Sequence, residues 1–186
     1  MPDPFANHFE LFGLIPGFAL DSGALEGAYR ALQAEVHPDR FAHSGDAERR
    51  ASMQWATRVN EAYVTLREPL KRARYLLELE GVAVEPERGA PLPPAFLTQQ
   101  MELRETLEAA GDARDGATLE QLGARLAAER RALEAELAVQ FAAGGERQQA
   151  AELVRKLMFL EKLRTEIGDA VDEQGSPGFP ATPSSS

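Results

Sequence analysis

The sequence predicts an all-α protein built from two helical units. Apolar residues recur at three- and four-residue steps through most of its 186 residues, the spacing that lines one face of an α-helix. The one stretch of β-like character, Val82-Ala83-Val84, is too short to found a sheet. Between Gly81 and Pro94 stand Pro86, Pro91, Pro93 and a second glycine, Gly89, and this breaker-rich linker parts the periodic sequence into two blocks, 1–80 and 95–168.

The first block opens with Phe9-Glu10-Leu11-Phe12-Gly13-Leu14, read as a short helix on which His8 is a polar residue. A longer helix follows, with Leu25, Tyr29, Leu32 and Val36 on its apolar face and Asp21 or Ser22 suited to cap its first free N–H groups. Met53, Ala56, Val59, Asn60, Tyr63 and Leu66 repeat the spacing in another helix. Two such helices joined by a short polar connection should lie antiparallel, stripe against stripe, with the connection at one end. That connection contains His37-Pro38-Asp39. Pro38 lacks an N–H and drives the preceding residue out of helical geometry, so the helix stops and His37 and Asp39 are displayed at the tip. Packing accounts for Trp55, Tyr29 and Tyr63, which lie on or beside the stripes. Asn60 is a polar residue on an apolar face, expected to bond the backbone of the connection and hold the tripeptide in place. His43 reads as a solvated residue of the connection. Pro69-Leu70-Lys71-Arg72-Ala73-Arg74-Tyr75-Leu76-Leu77 closes the block.

The second block reads as a three-helix bundle with helices at about 94–110, 115–143 and 146–168, broken at Gly111 to Gly116 and at Gly144-Gly145. Leu119, Leu122, Leu126, Leu133 and Leu137 form the core stripe of the middle helix, and Leu153, Leu157, Leu160 and Ile167 that of the last. On the first, Phe96, Gln100, Leu103 and Leu107 share the face that should point inward. At about 100° per residue, Leu97, Thr98, Met101, Glu102 and Glu105 fall on the other side. Two hydrophobes ringed by carboxylates suit a partner surface, and they equally suit the scattered apolar residues of any protein surface. Phe159 lies roughly 120° from the Leu153–Leu157–Leu160 stripe, the position of an exposed side chain. From Gly168 the chain turns to Gly, Pro and Ser, and 169–186 is expected to be a disordered tail.

A hydrophobic content of 44% and a charged content of 27% are those of a soluble globular protein, and no apolar run approaches the roughly 18 residues that span a membrane. Asp3 precedes any Lys or Arg and no apolar signal core follows, so a cytoplasmic location is expected. Residues 1–80 carry 12 acids and 9 bases, residues 81–186 18 and 11, a surface that makes nucleic acid a poor partner. The absence of cysteine rules out disulfides and removes the thiolates that hold zinc or an iron–sulfur cluster. His37 and Asp39 are residue types that serve in catalysis and metal binding. No second His or carboxylate cluster adjoins them in sequence, and there is no Gly-rich phosphate loop, so no catalytic residue, metal ligand or cofactor is assigned.

The hairpin turning at His37-Pro38-Asp39, with Phe9 to Leu14 before it, Asn60-Glu61-Ala62-Tyr63 on its second helix and Pro69 to Leu77 after it, resembles a J-domain, the module that stimulates ATP hydrolysis by DnaK-class chaperones. The Pro69 to Leu77 segment and the acidic helix beyond it narrow the resemblance to the HscB family of iron–sulfur co-chaperones, over about residues 5–168. Some eukaryotic relatives carry a cysteine-rich zinc module that nothing here matches, so the bacterial form is the closer one. The resemblance implies an N-terminal J-domain that docks on an HscA-type chaperone through His37, Pro38 and Asp39, with Arg30 and Arg40 as secondary contacts. It also implies a bundle that binds an IscU-type scaffold through Leu97, Thr98, Met101, Glu102, Glu105 and Phe159, with no cofactor of its own. Two departures stand out. J-domains usually carry several bases on the helix before the tripeptide, whereas here Arg30 faces Glu26 and Glu35. Ala109 offers no carboxylate at the end of the bundle patch. The alternative within the same class is a general J-protein that delivers unfolded chains to a DnaK-class chaperone. A structural bundle with an incidental tripeptide is the reading from a different class, and it predicts no effect on any ATPase.

Overall fold

The structure is a computed structural model that describes residues 6–41, 45–85 and 91–175. Every regular element among them is helical: α1 (His8–Leu11), α2 (Ser22–Val36), a 3₁₀ turn (Pro38–Phe41), α3 (Asp46–Arg67), α4 (Pro69–Leu79), α5 (Pro94–Asp112), α6 (Gly116–Ala142) and α7 (Arg147–Gly175). The all-α expectation holds. None of these helices is long and apolar enough to cross a membrane.

Local chemistry sets the boundaries. Asn7 caps α1 by accepting from the N–H groups of Phe9 and Glu10, at 2.9 and 3.0 Å, while Glu10 reaches back to the Asn7 N–H at 2.7 Å, a reciprocal capping box. Asp21 caps α2 through bonds from Gly23 and Ala24. Pro69 opens α4 at the position where its missing N–H costs nothing. Asp115 accepts from both the N–H and the hydroxyl of Thr118 in the first turn of α6, and these bonds hold its carboxyl below the usual range. At the far end of α6, Gly144 takes the left-handed conformation (φ 61°) that lets the Gly145 N–H bond the Gln140 carbonyl at 2.9 Å. The last helix continues to Gly175, so residues 169–175, assigned to the tail from sequence, are helical. The rest of the predicted tail, 176–186, lies outside the described residues, as does His43.

The chain packs as two units, Met1–Glu85 with Glu134–Val154, and Pro86–Leu133 with Arg155–Ser186. The apolar periodicity predicts the whole α6–α7 hairpin as part of the bundle. Its turn instead packs with the N-terminal region: Phe18 is buried and stacks on Phe141, with ring centroids 5.6 Å apart, and Arg147 pairs with Glu80 at 2.7 Å. In this unit α2 and α3 bury Leu25, Val36, Val59, Ala62 and Leu66. Met53, expected on the stripe, is 61% exposed; its neighbour Ser52 takes the buried position. In the other unit Leu103, Leu107, Leu119, Leu122, Leu126, Leu160 and Ile167 of the predicted stripes form one cluster with Leu163, which the stripes omit, while Leu137 and Leu153, predicted for the same core, are buried in the N-terminal unit. Gln100 is buried on the predicted inward face.

His8 on α1 is partly buried. Its ring stacks on Tyr75 with centroids 4.2 Å apart, and the His8 backbone N–H donates to the Tyr75 hydroxyl at 3.0 Å. Burial first, and the Arg58 charge second, lower its pKa from the ordinary value. A histidine whose folded pKa lies below its unfolded one favours folding fully above the unfolded value, and that contribution is lost as pH falls through about 6.5 and below. We therefore expect the thermal midpoint to drop more steeply between about pH 7.5 and pH 5.5 in the native chain than in His8→Phe, which keeps the stacking and cannot be protonated. Parallel melting profiles for the two proteins would refute this.

Candidate partner-binding surfaces

The hairpin tip owes its shape to where α2 stops. Val36 is its last helical residue, and His37 leaves the helix at φ −59° and ψ 129°, the extended geometry favoured before proline. Pro38 to Phe41 then close a 3₁₀ turn, in which the Arg40 N–H bonds the His37 carbonyl at 3.1 Å. The Asp39 N–H donates to His37 Nδ1 at 3.3 Å, and an Asp39 carboxylate oxygen lies 3.6 Å from that nitrogen. The two side chains thus stand together at the tip, His37 53% and Asp39 90% exposed. The turn leaves the hydrogen-bonding groups of both side chains open to solvent.

The support for the tip comes from a residue that the sequence did not single out. Ser52 on α3 is fully buried and donates from Oγ to the Val36 carbonyl at 2.7 Å, pinning the end of α2 to the facing helix. Asn60, the residue the sequence pattern suggests for that role, is exposed and accepts from the Tyr29 hydroxyl at 2.9 Å. Tyr29 in turn stacks on Tyr63, with centroids 4.0 Å apart, so Asn60 ties α2 to α3 at mid-height. Removing the Ser52 hydroxyl strands a buried carbonyl. Ser52→Ala is expected to cost about 1–3 kcal/mol and to speed amide exchange at Asp39 and Arg40. Native-like exchange at the tip in that variant would show that the bond does not hold it.

The two bases beside the tip are already engaged. Arg30 pairs with Glu26 one helical turn away, and that bond raises its pKa. Arg40 donates to the Ala34 carbonyl at 3.3 Å, which closes the side chain back onto α2.

On α5 the residues picked out from the helical wheel are all exposed: Leu97, Thr98, Met101, Glu102 and Glu105. Leu97 is 39% and Met101 66% exposed, large apolar side chains among carboxylates. Phe159 is half-buried, a correction to the exposed position read from its wheel angle. It packs against the core of its unit, edge-on to Phe96 with ring centroids 6.1 Å apart and planes at 78°. The wheel places a residue only on its own helix. The neighbouring aromatic on α5 decides how much of the ring is covered. Among the described residues no group of three or more His, Asp or Glu could hold a metal ion.

Residues 92–168 match the family described as the HSCB C-terminal oligomerisation domain. A co-chaperone protein HscB homolog of Ralstonia nicotianae is 53% identical over 166 residues, 89% of this chain and 94% of that protein. Among solved structures, chaperone HscB from Vibrio cholerae is 40% identical with a TM-score of 0.78, over 91% of this chain and 99% of its own. The human co-chaperone protein HscB is 28% identical with a TM-score of 0.83, over 90% of this chain and 83% of its own.

Proposed function

This chain belongs to the HscB family of co-chaperones, and from that premise we propose how its two surfaces divide the work. As a member of that family it is a co-chaperone of iron–sulfur cluster assembly, and it stimulates the ATPase of an HscA-type chaperone. It catalyses no reaction itself. Residues 1–80 act as the J-domain, with His37, Pro38 and Asp39 contacting the nucleotide-hydrolysing partner. Residues 95–168 present Leu97, Thr98, Met101, Glu102, Glu105 and Phe159 to an IscU-type scaffold. The work is done in the cytoplasm and requires no cofactor.

The observation that carries this reading is the 3₁₀ turn that exposes His37 beside Asp39. A carboxylate held in fixed geometry can accept two hydrogen bonds from a partner arginine. To bias the chaperone toward hydrolysis, that contact need couple to it by only about 1–3 kcal/mol, a five- to 150-fold effect. Binding both partners in one chain raises the local concentration of the scaffold at the chaperone, which makes the two stimuli synergistic. Arg30 and Arg40 contribute less, because each is already bonded within the hairpin.

The test is the steady-state ATPase rate of an HscA-type chaperone with this protein, with and without an IscU-type scaffold. Synergistic stimulation is the expected result. Stimulation indifferent to the scaffold would transfer the reading to a general J-protein, and no stimulation would remove the HscA-type partner.

A further inference from the structure

We propose that Arg104 is a positioning residue for scaffold binding: tied to Glu166, it holds the Phe159 ring in the orientation that meets the partner. The inference rests on the scaffold-binding reading of the α5 face given above.

The helical wheel locates the cluster. Taking Phe96 as origin, at about 100° per residue, Arg104 lies about 80° round α5, Leu97 about 100° and Met101 about 140°, while Gln99 lies about 60° in the opposite sense. Gln99 donates to Glu129 of α6 at 3.3 Å, whereas Arg104 reaches residues of α7. Helix α7 therefore flanks the Leu97–Met101 side, and Phe159 borders that apolar pair rather than the Gln99 edge.

Around the ring the contacts are specific. The Arg104 guanidinium carbon lies 5.8 Å from the Phe159 centroid, within cation–π range. Its Nη2 is 3.1 and 3.3 Å from the two carboxylate oxygens of Glu166, which stands about two turns beyond Phe159 on the same helix. Phe96 closes another side of the ring edge-on. Arg104 and Glu166 are 38% and 34% exposed, so the pair sits at the rim of the patch with its charges matched to each other. A half-buried phenylalanine without such a clamp samples several rotamers and must be ordered on binding. Ordering it beforehand is worth about two- to tenfold in affinity.

The experiment is calorimetric titration of an IscU-type scaffold into the full chain, using wild type, Arg104→Ala, Phe159→Ala and the double variant. Arg104→Ala should weaken binding about two- to tenfold, with little further loss once Phe159 is gone. Arg104→Lys, which keeps the charge and loses the planar fork, should restore only part of the affinity. Equal losses from Arg104→Ala in both backgrounds would mean that Arg104 meets the scaffold directly, and no loss would remove its role; either overturns the proposal. A second readout is independent of any partner: ¹³C relaxation of the Phe159 ring in the free protein should report greater mobility in Arg104→Ala and Glu166→Gln. If wild type fails to bind the scaffold, the scaffold-binding reading falls, and an unchanged ring mobility in those variants overturns the positioning role as well.

Discussion

His37→Gln is expected to bring the ATPase rate of an HscA-type chaperone back to within about twofold of its unstimulated value, with scaffold binding unchanged. The effect should be this large because the tip offers few groups, and His37 and Asp39 are both exposed there, at 53% and 90%. His37 lies outside α2 in a backbone geometry that any residue before proline adopts, so glutamine there leaves the helix and the 3₁₀ turn intact. What changes is the side chain that accepts the Asp39 N–H through Nδ1 and stands beside its carboxylate. Glutamine is similar in reach and polarity, but its amide lacks the ring that holds Nδ1 toward Asp39. Steady-state ATPase rates at saturating co-chaperone would expose the loss, and circular dichroism and melting would show the fold retained. Stimulation by the variant within about twofold of wild type would remove the tip from the coupling mechanism. Long-range attraction offers little compensation, since Arg30 is matched by Glu26 and the chain carries a formal charge of −10. The short-range geometry of the tip must therefore carry the contact.

The helices were legible because their signals are local: a cap, a proline, a glycine pair or an apolar repeat is written within a few residues of the boundary it sets. Asp21, Pro38, Pro69 and Gly144 acted as their chemistry dictates. Side chains whose role depends on a distant element were not legible. Ser52 supports the tip across sixteen residues of sequence, and nothing in its neighbours distinguishes it from an ordinary helical serine. Asn60 was the more conspicuous polar residue, yet it found Tyr29, which also sits at the margin of its stripe. Phe159 was read correctly as off the core stripe. Its coverage, however, comes from Phe96 on another helix, which no wheel drawn for α7 contains. The same limit hid the packing of Phe141 on Phe18, which draws the α6–α7 turn into the N-terminal unit. The exposed face of α5 was recoverable in full because it depends only on which side of that helix is buried.

That face supports the second large effect. Replacing both Leu97 and Met101 by alanine should weaken binding of an IscU-type scaffold about 30- to 150-fold, from about 2–3 kcal/mol of lost apolar burial, while the scaffold-independent stimulation of the ATPase persists. Alanine is the best helix former, so α5 is not weakened by the change. Both side chains are exposed, Met101 more than Leu97, and neither belongs to the core cluster, so the core loses little when they are cut back. The carboxylates around them should behave differently. Glu102 and Glu105 are exposed, and charges at the rim of an interface act mainly on the association rate. Glu102→Gln with Glu105→Gln should slow association and flatten its salt dependence, with a dissociation rate close to wild type. Stopped-flow kinetics at two ionic strengths separates the two sets. If the alanine pair changed association and left dissociation alone, the apolar residues would not be the anchor, and the scaffold would have to bind elsewhere on the chain.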